Sequence, residues 1–122
     1  MIKKKRGVKM KGLKAPMIKP LSLANDLYVL CGLDLVVTDA VAKRESKNSL
    51  HPVGLAVDIR TRDLTHHQKS IVFSILLKQL GNDFDVIMYE THIHIEYQRA
   101  LDDAKHADFI RTFLVDDFDE VE

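Results

Sequence analysis

The segment His92–Tyr97 reads HIHIEY, an uninterrupted alternation of polar and apolar side chains. A period of two fits a β-strand, with His92, His94 and Glu96 on one face and Ile93, Ile95 and Tyr97 on the other. A strand of this kind needs partners for its backbone and a layer to cover its apolar face. Candidate partners are short: Leu33–Thr38 (LDLVVT), Leu55–Ile59 (LAVDI) and Phe84–Glu90 (FDVIMYE), rich in branched residues and below helical length.

Helices supply the cover. Thr65 and Gln68 form a capping box ahead of Ile71, Val72, Ile75, Leu76 and Leu80, and Gly81 stands where that helix should end. Pro16–Leu33 carries Leu23, Leu27, Leu30 and Cys31 at spacings of three and four, with Gly32 as a stop signal. Leu101–Leu114 predicts a last helix that buries Ile110, Phe113 and Leu114, and the polar stretch Asp39–Ser49 predicts a surface loop. The order of elements implies an α+β fold: a small, mainly antiparallel sheet packed with about three helices. At 122 residues with 46% hydrophobic content the chain has material for one core. Residues 15–115 are expected to form that single domain.

The formal net charge is zero, yet the ends are polarised. Residues 1–14 hold Lys3, Lys4, Lys5, Arg6, Lys9, Lys11 and Lys14 without an acid, and predict a flexible basic arm; residues 116–122 hold five acids without a base and predict an acidic tail. The arm either solubilises the chain or contacts a polyanion such as nucleic acid or an anionic envelope polymer. No apolar run has the length of a membrane span or of a secretory signal, so a cytoplasmic, monomeric product is expected.

Cys31 is the only cysteine, which excludes an internal disulfide and any cluster of thiolates. A metal site here must use nitrogen and oxygen. His92 and His94 on one strand face can approach one ion together, although the same pattern suits the solvent side of an ordinary edge strand. His51 and Asp58 are separated by Pro52 and Gly54, residues suited to a reversal. Asp58 lies among Ala56, Val57 and Ile59, where a carboxylate requires a partner. That partner is either a cation shared with His51 or the guanidinium of Arg60 or Arg62.

Ser49-Leu50-His51-x-x-Gly54-x-Ala56-Val57-Asp58-Ile59, followed by Tyr89-Glu90 and His92-Ile93-His94, resembles the superfamily of zinc D-alanyl-D-alanine carboxypeptidases, D,D-dipeptidases and phage endolysin peptidases. The wording is closest to the Hedgehog signalling domain, which shares that fold and site. The likeness runs from about Val36 to Tyr97. It implies that His51, Asp58 and His94 ligate Zn2+ and leave a fourth position open. It also implies that His92 stabilises the tetrahedral intermediate and that Glu90 is the general base, taking a proton from the attacking water. Arg44 then grips the substrate carboxylate, Ser49 supports a ligating histidine, and Thr38 and Asp39 match a threonine–acid pair near the site.

This chain also departs from the pattern. Its connection from Glu90 to His94 is shorter than in the Hedgehog-like wording, and Leu55 stands where an arginine is common. Glu90 and Thr91 are not residues that a two-residue hairpin favours, which predicts a longer or irregular connection. Should Glu90 point away, Glu96 is the nearest other carboxylate on the histidine face.

The implied function is zinc-dependent hydrolysis of short D-amino-acid peptides in bacterial peptidoglycan, as a carboxypeptidase or an L-alanyl-D-glutamate endopeptidase of the endolysin type. The small size and basic start would suit a phage-type lysis protein acting on the host wall. A zinc-binding recognition module of the Hedgehog kind, without turnover, is the alternative. Thr91–Ile95 also looks like the histidine pair of rolling-circle nicking enzymes, but those need a later tyrosine and none follows Tyr97.

Overall fold

The computed structural model describes residues 1–42, 49–98 and 118–122. Six strands, β1 (Ile2–Lys5), β2 (Leu35–Asp39), β3 (Ala56–Arg60), β4 (Phe84–Met88), β5 (His92–Tyr97) and β6 (Glu120–Val121), form one sheet in the order β4-β5-β3-β2-β1-β6. Two α-helices, α1 (Ile18–Leu30) and α2 (His66–Leu80), complete the described architecture. β3 lies between β2 and β5 and is antiparallel to both; β4 is antiparallel to β5. The expectation of a mainly antiparallel sheet with about three helices is corrected here. β1 runs parallel to both β2 and β6, which makes the sheet mixed, and two α-helices occur among the described residues. The helix expected at Leu101–Leu114 lies outside those residues.

The source of the correction is the lysine-rich start. Ile2–Lys4 pair in register with Leu35–Val37, Lys3 meets Asp34 at 2.8 Å, and Lys4 is buried. Met10 and Leu13, further along the expected arm, are fully buried in the core. Residues 1–14 are therefore part of the domain. A strand made of Ile and three Lys has no apolar alternation to betray it; its stability comes from backbone bonds to a β2 that would otherwise present an open edge. The acidic end is likewise tied in, with Lys4 N donating to Asp119 O at 2.9 Å, Arg6 N to Val121 O at 2.8 Å, and Arg6 meeting Glu122 Oε1 at 2.6 Å.

Alternation places Val57, Ile59, Ile93 and Ile95 on the covered face, where they join Leu21, Tyr28, Val72 and Leu76 in one core. The capping box forms as expected, Gln68 N donating to Thr65 Oγ1 at 3.1 Å and Thr65 N to Gln68 Oε1 at 3.0 Å. α1 ends on a Schellman motif: Gly32, at φ +74°, donates to Val29 O at 2.9 Å and Leu33 N to Tyr28 O at 2.9 Å. Its fully buried residues are Pro20, Leu21, Ala24 and Tyr28, while Leu23, Leu27 and Cys31 of the expected stripe pack half-buried against the core and Leu30 turns away from it. Leu30 is 84% exposed. The Tyr28 hydroxyl donates to Arg60 O at 2.6 Å, and this long-range anchor fixes the rotation of the helix.

Two local features position the polar face. A β-bulge between Val37 and Asp39 shifts the β2–β3 register, so that Val37 faces Ile59 but Asp39 faces Asp58. Before β3, His51–Gly54 makes a turn closed by Gly54 N donating to His51 O at 3.1 Å, with Pro52 second and Gly54 at φ +77°. Lys14 N donates to Gly54 O at 2.9 Å, and any Cβ at position 54 would collide with the Gly12 carbonyl. The segment expected as a free arm thus clamps the turn that carries His51.

Candidate metal centre

The uncovered face of the sheet gathers the candidate residues. In the β3–β5 ladder Asp58 is opposite His94 and Arg60 is opposite His92, while the turn before β3 delivers His51, which is only 4% exposed. One donor atom from each of His51, Asp58 and His94 lies within 4.8 Å of the others, so this group can hold a metal ion. Asp58 Oδ1 is 3.6 Å from His51 Nε2 and 2.7 Å from His94 Nδ1. Tetrahedral bonds of roughly 2.0–2.1 Å would set neighbouring ligand atoms about 3.3 Å apart, between these two separations. Small side-chain adjustments would suffice to close around an ion.

The second nitrogen of each ring is already engaged. His51 Nδ1 lies 2.7 Å from Ala40 O and donates to it, which leaves Nε2 as the free ligand atom. Asp39 Oδ1 accepts from Ala40 N at 3.0 Å and holds the bend that aims this carbonyl. Ser49 does not fill that role: its Oγ accepts from the backbone N of His51 at 3.3 Å. His94 Nε2 lies 2.8 Å from Glu96 Oε1, and Gln98 Nε2 donates to Glu96 Oε2 at 3.1 Å. Glu96 is thus an orienting carboxylate, a role sequence reasoning missed although its i+2 position on the histidine strand carried the signal. Glu96→Ala is expected to lower metal affinity about 10–100-fold without removing a ligand. A competition titration against a chelator reads this directly, and unchanged affinity would contradict the assignment.

The electrostatics suit a cation. Burial opposes ionisation of Asp58, but the His51 and His94 rings beside it outweigh that cost and hold its carboxyl well below the usual carboxylate range. His94 titrates above an ordinary imidazole because Asp58, and after it Glu96, stabilise the protonated ring against burial.

His92 joins the group from the edge. Its Nε2 lies 3.8 Å from Asp58 Oδ2, Thr91 Oγ1 is 2.9 Å from its Nδ1, and its ring stacks on Tyr89 at 4.9 Å. Thr38 Oγ1 makes a long 3.4 Å bond to Asp58 O. Glu90 is exposed and lines the same cleft, about 560 Å³ in volume, as Asp58, His92, Arg60 and Arg62. Arg44 lies outside the described residues. A larger groove, about 810 Å³, runs past Ile18, Ser22, Phe84 and Tyr97 and shares no residue with the His–Asp–His group.

The β4–β5 connection is the irregular one of the two expected alternatives, not the longer one. Tyr89 N donates to His92 O at 2.8 Å, so only Glu90 and Thr91 separate the paired ends. No non-glycine among the described residues has positive φ, which excludes the primed hairpin geometries here. The Lys69 ammonium on α2 compensates, donating to Tyr89 O at 3.0 Å and Glu90 O at 2.9 Å.

No described helix is long and apolar enough to cross a membrane. Comparison of the chain with protein-family models, with curated proteins and with solved structures finds no match.

Proposed function

We propose that this protein is a zinc-dependent peptidase acting on short peptides that contain D-amino acids, the stem peptides of bacterial peptidoglycan. The observation that carries the reading is the convergence of His51 Nε2, His94 Nδ1 and Asp58 Oδ1, with the remaining ring nitrogens already bonded. Two imidazoles and one carboxylate favour zinc over magnesium or calcium, which prefer all-oxygen shells. The motif resemblance supplies the substrate class.

When bound, zinc would polarise a scissile carbonyl and acidify water at neutral pH. The chain's own groups do the rest. Glu90, at the edge of the cleft, would accept a proton from the attacking water and return it to the leaving amine. His92, with Thr91 at Nδ1, would present Nε2–H to the oxygen on which negative charge develops. A second reading, a metal-holding recognition module without turnover, draws on the exposure of Glu90, whose carboxylate has no hydrogen-bond partner among the described residues.

The zinc-loaded chain incubated with purified peptidoglycan is expected to release D-alanine or stem-peptide fragments, identified by mass analysis. Chelation should stop the release and added zinc restore it. A full zinc complement with no release from the wall would leave the recognition module.

A further inference from the structure

The segment Tyr89–His92, which edges the cleft, is hung from α2. Each of its main-chain oxygens has a donor. The Lys69 ammonium serves Tyr89 O at 3.0 Å and Glu90 O at 2.9 Å, Thr61 N serves Thr91 O at a long 3.4 Å, and Tyr89 N serves His92 O at 2.8 Å. The side chains interlock on this frame: the Tyr89 ring stacks on His92 at 4.9 Å with 22° between the planes, and Thr91 Oγ1 lies 2.9 Å from His92 Nδ1. One side chain from another element thus sets the main chain that carries both Glu90 and the His92 ring.

Neither the helix nor the sheet explains a lysine at this position. Lys69 is the fourth residue of α2, in a first turn that contains no acid, where the helix dipole disfavours a cation. The β4–β5 ladder runs from Phe84↔Tyr97 to Met88↔Ile93 and ends before the turn begins. What the ammonium supplies is two charge-assisted bonds to a connection without Gly, Asn or Pro. Without it water would take both carbonyls, and no turn residue would select one arrangement of Glu90 and His92. The His51–Asp58–His94 group stands on other elements and receives neither of these bonds.

We propose that Lys69 is a positioning residue for the edge of the cleft: by holding the Tyr89 and Glu90 carbonyls, it fixes where the Glu90 carboxylate and the His92 ring stand relative to the metal group, without taking part in metal binding. The consequence for turnover rests on the peptidase reading; the hold on His92 does not.

The test compares the full zinc-loaded wild type with Lys69→Met and Lys69→Gln, which remove the charge, and with Lys69→Arg, which keeps it. Zinc content and affinity should be unchanged in all of them. In Lys69→Met and Lys69→Gln, kcat for fragment release from peptidoglycan is expected to fall about 10–100-fold with KM within about threefold, the signature of misplaced rather than missing groups. Lys69→Arg should recover most of the rate. A second readout needs no turnover. The carbon-bound ring protons of His92 sit in the magnetic field of the Tyr89 ring, so their NMR signals should move toward those of an unstacked histidine in the two neutral variants, while those of His51 and His94 stay in place. An unchanged kcat, unmoved His92 signals, or a zinc affinity that falls in step with the rate would each overturn the role. Wild-type hydrolysis that survives intact in both neutral variants removes the positioning role and leaves the peptidase reading. If the wild type releases nothing from peptidoglycan, that reading falls and the His92 signals decide alone: moved, they keep Lys69 as the anchor of this edge; unmoved, they strike it.

Discussion

Asp58→Ala is expected to abolish stoichiometric zinc binding, with His51→Ala and His94→Ala behaving alike, while the wild type holds close to one ion per chain. Asp58 is the shared member of the group, since its Oδ1 faces both ring nitrogens. Loss of an orienting partner lowers metal affinity by roughly 10–100-fold, and loss of a ligand should exceed that range. Elemental analysis after dialysis and chelator competition measure the two quantities. Full zinc content at wild-type affinity in any one variant would strike that residue from the ligand set.

The same titration has a defined pH dependence. His94 holds its proton more firmly than a free imidazole, through Asp58 first and Glu96 second, and ligation at Nδ1 requires that proton to leave. Affinity should therefore fall as pH drops through the folded value, by about tenfold per unit for one displaced proton. Asp58 adds nothing to this slope near neutrality, because its depressed titration keeps it ionised there.

What the sequence made legible is local. HIHIEY specified β5 and its polar face residue by residue, Thr65 and Gln68 specified the start of α2, and a carboxylate inside LAVDI pointed to a buried partner. What stayed hidden depends on groups far apart in the chain. β1 is held by pairing with β2 across more than thirty residues, and its lysines resemble a solvated arm. α1 turns its Leu30 outward because Tyr28 is fastened to Arg60. The Glu90–Thr91 turn lacks turn residues because Lys69, twenty positions earlier, supplies the missing donors. The ligand set could be seen as residue types at a spacing. The groups that orient it, the Ala40 carbonyl and Glu96, depend on a bulge and a ladder register.

That division bears on how rigid the site is. The three candidate ligands sit on a turn clamped by Gly12 and Lys14 and on the interior strands β3 and β5, and the second nitrogens of the two histidines are already bonded. The catalytic candidate Glu90 sits instead on an exposed turn whose carbonyls are tethered by one ammonium. Metal binding and turnover are therefore expected to separate cleanly under mutation.

Glu90→Gln is the variant that separates them. Position 90 contributes no atom to the His51–Asp58–His94 group, so zinc content and affinity should match the wild type. Gln is nearly isosteric, and the Lys69 bonds go to main-chain oxygens that the substitution leaves in place, so the turn should keep its shape. A carboxamide cannot accept a proton at neutral pH. The rate of fragment release from peptidoglycan should consequently fall by about 10²–10⁴-fold, the usual contribution of a positioned general base. Because the lost step is proton transfer, the fall should appear in kcat more than in KM. Full activity in Glu90→Gln with Glu96→Ala inactive despite bound zinc would move the base to the histidine face. Full activity in both would remove carboxylate base catalysis from the proposal.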